Sequence, residues 1–149
     1  MKNGTKLMSI LVLIFIAQFH LGVSYSEMET IPYTHAYYDS TWLKNDWYLH
    51  SKIDYRHLFS FFTGFFVSHF GFMKTIYIGR ILSYFLFSFS FLSLLRSLQI
   101  SFMTGFFTLV IFFYYFNQNI SAGELMIGGL ETKVFAYGFL LLSLSCFIR

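Results

Sequence analysis

Long runs without a formal charge are the feature that most restricts how this chain can fold. Residues 7–25 and residues 97–123 contain no Asp, Glu, Lys or Arg. Charged residues make up only 11% of the chain and 22 residues are Phe, whereas soluble domains carry about 25% charged residues. A soluble protein with so few charges could not cover its surface, and its exposed Phe side chains would cause aggregation. The sequence therefore predicts a membrane protein with several spans.

Four apolar runs are candidates for membrane spans, because a helix needs about 20 apolar residues to cross roughly 30 Å of hydrocarbon. They are residues 7–25, 76–98, 100–116 and 134–148. Lys2 and Lys6 precede the first run and favour a cytoplasmic N-terminus. A cleavable signal peptide is the alternative for this run, but its length and the lack of an A-x-A site favour an uncleaved anchor.

The segment 57–73 has two interpretations. It has no formal charge and is rich in Phe, but a narrow polar stripe recurs at helical spacing along it. The stripe consists of His57, Ser60, Gly64, Ser68 and Gly71. We expect an amphipathic helix lying in the membrane interface; the alternative is a fifth, very short span.

The predicted fold is therefore all-α: one membrane domain of about four transmembrane helices plus an interfacial helix. The acidic loop 26–56, in which we expect short interfacial helices, and the loop 117–133 then share the outer side of the membrane. Because the last apolar run closes on Arg149 without a tail, we favour the N-terminal part of a longer polytopic protein; a small complete protein is the alternative.

The acidic residues of these two loops are the candidates for chemistry. Asp39 and Asp46 lie in the first loop, and Glu124 and Glu131 lie in the second. Facing carboxylates at a membrane surface can bind a divalent cation through oxygen or accept a proton from a hydroxyl nucleophile. Phosphate-binding and zinc-protease motifs are absent, and the basic residues are scattered singly, which argues against nucleic-acid binding.

Two short motifs resemble a known superfamily. The first is the run Trp42-Leu-Lys-Asn-Asp-Trp-Tyr-Leu49, and the second is Gly128-Gly-Leu-Glu-Thr-Lys-Val-Phe-Ala-Tyr137 leading into a span. Both are similar to segments of bacterial multi-spanning glycosyltransferases of the GT-C type and their uncharacterised relatives. The resemblance implies a polyprenyl-phosphate-linked sugar donor and an acidic residue of the first outer loop at the active site, with a divalent metal such as Mg or Mn. Two departures from the pattern are the small number of spans and the absence of a tight D-x-D motif.

Under this interpretation each candidate residue has an expected role. Asp46, Asp39 and Glu131 would be catalytic, and Asp46 and Glu124 would bind the metal. Arg56, Arg80 and Lys133 would bind the donor phosphate, a task that suits the planar guanidinium of Arg. The expected location is a bacterial inner membrane.

Two further function classes stay open. The chain would be a non-catalytic membrane subunit if its spans pack against further membrane subunits and its loops bind a partner. A transporter or channel is the weakest hypothesis, because no acidic residue lies in the middle of a span. Arg80 and Arg96 lie near the ends of their span, where we expect them to reach the lipid headgroups.

Overall fold

The described part of the computed structural model is entirely helical. It covers residues 3–51, 56–118, 129–130 and 132–148, and no strand occurs within these ranges. The helices are α1 (Asn3–Gln18), α2 (Tyr25–Tyr38), α3 (Trp47–Ser51), α4 (His57–Phe70), α5 (Phe72–Ser97), α6 (Phe102–Gln118) and α7 (Thr132–Ile148). The predicted all-α class is confirmed for these residues.

One of these helices, α5, is long and apolar enough to cross a membrane. Its 26 residues extend about 39 Å. Three further helices are apolar but shorter, namely α1, α6 and α7, with 16, 17 and 17 residues. Within the described residues, one helix thus meets the length and composition of a span, whereas the sequence predicts about four spans.

Helix α2 occupies much of the segment that the sequence predicts as a loop. It begins where the Ser24 hydroxyl accepts a hydrogen bond from the Glu27 amide while the Glu27 carboxyl accepts one from the Ser24 amide. This reciprocal capping box satisfies two amides at the helix start. The first apolar run is divided as a result, because α1 ends at Gln18 and α2 begins at Tyr25.

The break between α4 and α5 is a single residue. Gly71 adopts φ +80°, a left-handed conformation that favours glycine, and α5 begins at the next residue. Helix α4 therefore has 14 residues and extends about 21 Å, which is less than the roughly 30 Å of a hydrocarbon core.

The chain divides into two compact units. Unit 1 comprises Met1–His20, Arg80–Gly128 and Lys133–Arg149, and unit 2 comprises Leu21–Gly79 and Gly129–Thr132. Unit 1 thus contains α1, α6, most of α5 and nearly all of α7. Unit 2 contains α2, α3, α4 and the first two turns of α5.

Unit 1 has an apolar core and an apolar outer surface. The core consists of Ile10, Ile14, Tyr84, Phe87, Leu92, Leu109, Phe113 and Val134. Large exposed side chains cover the outside of the same helices, among them Ile16, Phe85, Phe107, Phe139 and Phe147. Some hydroxyls are found inside: those of Ser93 and Ser97 lie 2.7 and 2.9 Å from the hydroxyl of Ser145, which is fully buried.

Unit 2 is built around a close approach of α2 and α4. A Cβ atom added at Gly64 would lie 2.3 Å from the carbonyl oxygen of Thr34 and 2.5 Å from Cβ of Tyr38. The polar stripe predicted for α4 faces inward at Ser60 and Gly64, both of which are buried. Small residues on α4 thus allow the two helix backbones to approach closely.

Candidate functional site

Asp39 lies at the end of α2 and forms a tight local turn. Its Oδ1 accepts hydrogen bonds from the hydroxyl of Thr41 at 2.6 Å and from the amide of Thr41 at 3.0 Å. These hydrogen bonds hold the pKa of Asp39 below its ordinary value, and the bond from the Thr41 hydroxyl has the larger effect. A carboxylate stabilised in this way is a poor general base, because its tendency to accept a proton is reduced.

Asp46 caps the short helix α3. Its Oδ1 accepts hydrogen bonds from the amides of Tyr48 and Leu49, at 2.9 and 3.2 Å. The residue is exposed, and it adjoins Trp47, whose side chain is 77% exposed. Asp46 therefore combines a structural role, through one carboxyl oxygen, with an open position beside a protruding indole ring.

Trp42 is less exposed than Trp47. The Trp42 ring packs against His35, with ring centroids 4.5 Å apart, and against Phe72, at 5.9 Å. Its carbonyl oxygen lies 3.2 Å from Nε2 of His50. Trp42 thus holds the loop against α2 and the start of α5, while Trp47 is the exposed member of the pair.

The three predicted phosphate ligands occupy different environments. Arg56 is half-buried, with its guanidinium 5.6 Å from the centroid of the Tyr33 ring, and Lys133 is half-buried at the start of α7. Arg80 is fully buried and donates a hydrogen bond to the carbonyl oxygen of His20, just beyond the end of α1. The expectation that Arg80 extends outward to the headgroups is therefore wrong, because its guanidinium is used inside unit 1. Arg96 is exposed, as expected.

Glu27 is a buried acid that the sequence argument did not assign to the candidate site. Its side chain is fully buried in unit 2, and its Oε1 accepts a hydrogen bond from the amide of Leu130 at 2.7 Å. Leu130 belongs to the second of the two motifs, 103 positions away along the chain. The spacing Ser24-x-x-Glu27 is a capping-box pattern, so the helix start was readable in the sequence, but the contact with Leu130 was not.

The predicted metal site is only partly within the described residues. These contain no group of three or more His, Cys, Asp or Glu side chains placed to bind a metal ion, and Glu124 and Glu131 lie outside them. Asp39 and Asp46 each use Oδ1 in a local turn or cap. The described acids alone do not fit a divalent cation, which prefers six or more oxygen ligands from converging groups.

Comparisons with known proteins give no further assignment. The chain matches no protein-family model, no curated protein and no solved structure. The candidate site therefore has to be judged on its geometry.

Proposed function

We propose that the chain is an integral membrane protein in which α1, α5, α6 and α7 are the spans. The observation that carries this proposal is the distribution of polarity in unit 1. Large apolar side chains point outward, whereas the hydroxyls of Ser93, Ser97 and Ser145 meet inside. In lipid, helices associate through small residues and interhelical hydrogen bonds, and an apolar exterior is the favourable one. In water the same exterior would be an aggregation site.

The short helices fit this proposal if the membrane adjusts to them. Helices of 16 or 17 residues extend about 24–26 Å, and a bilayer accommodates such lengths by local thinning or by flanking side chains that reach the interface. Lys6, in the first turn of α1, would be such a residue; its ammonium lies 5.7 Å from the centroid of the Phe102 ring within unit 1.

Helix α4 is the interfacial helix of this arrangement. Its buried face packs against α2, while Leu58, Phe61, Phe62 and Phe65 are exposed. An exposed aromatic face on a helix too short to span is typical of a helix that lies in the headgroup region. Lys2 and Lys6 favour a cytoplasmic N-terminus in a bacterial cell, and with four spans both polar segments would then lie outside the inner membrane.

Cysteine labelling tests this topology. In a Cys146→Ser background, Ser40→Cys and Gly123→Cys should both react with an impermeant thiol reagent in intact cells, and Asn3→Cys should not. Reaction of Ser40→Cys alone would support five spans, and reaction of Asn3→Cys would contradict the orientation.

The activity proposed for the outer face is sugar transfer from a polyprenyl-phosphate donor. What supports it is the position of Asp46: it is exposed, one carboxyl oxygen is fixed by the α3 cap, and the adjoining Trp47 ring suits a headgroup-level surface. The carboxyl would accept the proton of the acceptor hydroxyl. Arg56 would bind the donor phosphate, and Glu131 would be the second acid.

Charge-removing substitutions test this activity. Asp46→Asn keeps an N-cap acceptor, because Asn caps helices as well as Asp does, so its fold should be unchanged while sugar transfer by membranes containing the protein is lost. Glu131→Gln should act in the same way, and Glu29→Gln is the matched control on α2. Normal transfer in both variants would contradict the catalytic role.

A non-catalytic membrane subunit is the second candidate. It is favoured by the local hydrogen bonds of Asp39 and Asp46, which give both acids a structural role. In that case the protein should co-purify in stoichiometric amounts with another membrane protein, and Asp46→Asn should leave this association intact.

A further inference from the structure

The carboxyl group of Glu27 joins two segments of unit 2 that are far apart in sequence. Its Oε2 accepts a hydrogen bond from the amide of Ser24 at 2.8 Å, and its Oε1 accepts one from the amide of Leu130 at 2.7 Å. The first contact starts α2, and the second holds the chain just before α7. A fully buried carboxyl is costly unless its oxygens are hydrogen-bonded, and both oxygens are bonded here.

The side chain of Leu130 is held as closely as its amide. A Cβ atom added at Gly79 would lie 2.3 and 2.7 Å from the two terminal methyl carbons of Leu130, so the leucine occupies the space that the missing Gly79 side chain leaves on α5. Leu130 is only 3% exposed. Its backbone and side chain are thus fixed by two independent contacts, one from α2 and one from α5, all within unit 2.

The residues that follow Leu130 are those of the second motif. Glu131 is the next residue, Thr132 begins α7, and Lys133 is the second residue of that helix. Fixing Leu130 therefore fixes the chain one residue before Glu131 and two residues before the start of α7.

We propose that Glu27 is a positioning residue, which fixes Leu130, the residue directly before Glu131 in the sequence. The fixing of Leu130 does not depend on any activity, whereas its importance for a phosphate-linked donor rests on the proposed function. The buried environment strengthens the hydrogen bond, because water does not compete for the amide.

Hydrogen–deuterium exchange of the Leu130 amide in detergent micelles tests this proposal. In the wild-type protein the amide should be protected. Glu27→Ala should accelerate its exchange on the order of tenfold or more, because the buried Leu130 amide is left without its acceptor. Glu27→Gln, which keeps a carbonyl acceptor of the same reach, should restore part of the protection.

Two control variants separate positioning from a general loosening of α2. Ser24→Ala removes the hydroxyl half of the capping box but leaves the Glu27 carboxyl in place, so protection of Leu130 should persist. Glu29→Gln changes an exposed acid two positions along α2, and should have no effect. The amides of Ile10 and Val67 report whether each unit is still folded.

Three results would overturn the proposal. They are an unprotected Leu130 amide in the wild-type protein, unchanged exchange in Glu27→Ala, and an equally large effect of Ser24→Ala. If Glu27→Ala does not fold, the proposal is tested by the protection of the Leu130 amide in the wild-type protein and in Glu27→Gln. No substrate is added in the exchange experiment, so a negative result contradicts the role of Glu27 alone. Normal sugar transfer by Asp46→Asn and Glu131→Gln would instead contradict the proposed activity.

Discussion

The interior of unit 1 is filled by large side chains from four helices, whereas α2 and α4 in unit 2 meet at a glycine. Ile10, Ile14 and Phe113 form part of the unit 1 core, and comparable side chains cover its outside. In unit 2 the backbone of Thr34 lies directly over Gly64. The stability of unit 1 thus depends on the volume of its core side chains and on the medium around its apolar exterior. The stability of unit 2 depends on the close approach of two helix backbones and on particular hydrogen bonds.

The two units should therefore respond differently to substitution. A core of large apolar residues is sensitive to loss of volume, and its exterior tolerates any apolar residue if lipid surrounds it. A backbone contact is sensitive to the addition of a single methyl group, because neither partner can move without shifting its helix.

The largest expected effect is in the unit 1 core. Ile14→Ala should lower the free energy of unfolding by about 3 kcal/mol, because it leaves a cavity in a fully buried position. Ile16→Ala is the matched control, since Ile16 is 76% exposed two residues along the same helix, and it should change stability by less than about 0.5 kcal/mol. Unfolding in mixed detergent micelles measures both. Equal losses would mean that the outside of α1 is a packed surface.

A slightly smaller effect is expected in unit 2. Gly64→Ala should cost about 2–3 kcal/mol, because the added Cβ meets backbone atoms of α2. Gly105→Ala is the control in unit 1, where the added Cβ meets the tip of the Leu95 side chain, which can rotate away. We expect a cost below about 1 kcal/mol there. If Gly105→Ala is the more damaging variant, the contrast between the units is wrong.

The buried serines of unit 1 should make a moderate contribution. Ser145→Ala removes the hydroxyl near Ser93 and Ser97, and should cost about 0.6–1.7 kcal/mol, the range found for hydrogen bonds between helices in lipid. Ser143→Ala, an exposed serine on the same helix, provides the control. A loss in Ser145→Ala no larger than in the control would show that these hydroxyls do not join α5 to α7.

The smallest effect concerns the turn at Asp39 and depends on pH. Because hydrogen bonds hold the pKa of Asp39 below its unfolded value of about 3.9, the turn contributes stability above that pH and loses it as the pH falls through the lower, folded pKa. Thr41→Val removes the hydroxyl donor and should raise the pKa of Asp39 towards its ordinary value. The carboxyl carbon shift in an NMR titration measures this, with Ser40→Ala as the control. An unchanged titration in Thr41→Val would show that the Thr41 hydroxyl is not the main cause of the lowered pKa of Asp39.

Helix content was largely predictable from the sequence, but helix ends were not. The apolar runs predict α1, α5, α6 and α7 because apolar residues continue beyond what a loop would contain. The end of α1 at Gln18 was missed, since the apolar run continues to Tyr25 without a charge or proline. The sequence predicts only short helices in the segment that α2 occupies, because its composition is polar and Pro32 lies inside it. The 14-residue helix begins at the Ser24–Glu27 capping box.

The sequence predicts where the candidate residues lie better than it predicts what their side chains bind. Asp39 and Asp46 lie where the sequence suggests, in an exposed segment between helices, but a sequence does not show which carboxyl oxygen caps a turn. Arg80 and Glu27 are both fully buried, and nothing in their immediate sequence distinguishes them from surface charges.

Composition and periodicity along the chain are enough to predict the helical class, the apolar exterior and the polar segment with its tryptophans. Which ionisable side chains are internal is visible only in the folded chain. The amide of Leu130 reaches Glu27, and the carbonyl of His20 reaches Arg80, across 103 and 60 positions of sequence. A buried charged group is stabilised by partners that folding brings to it, and no local pattern encodes contacts over such distances.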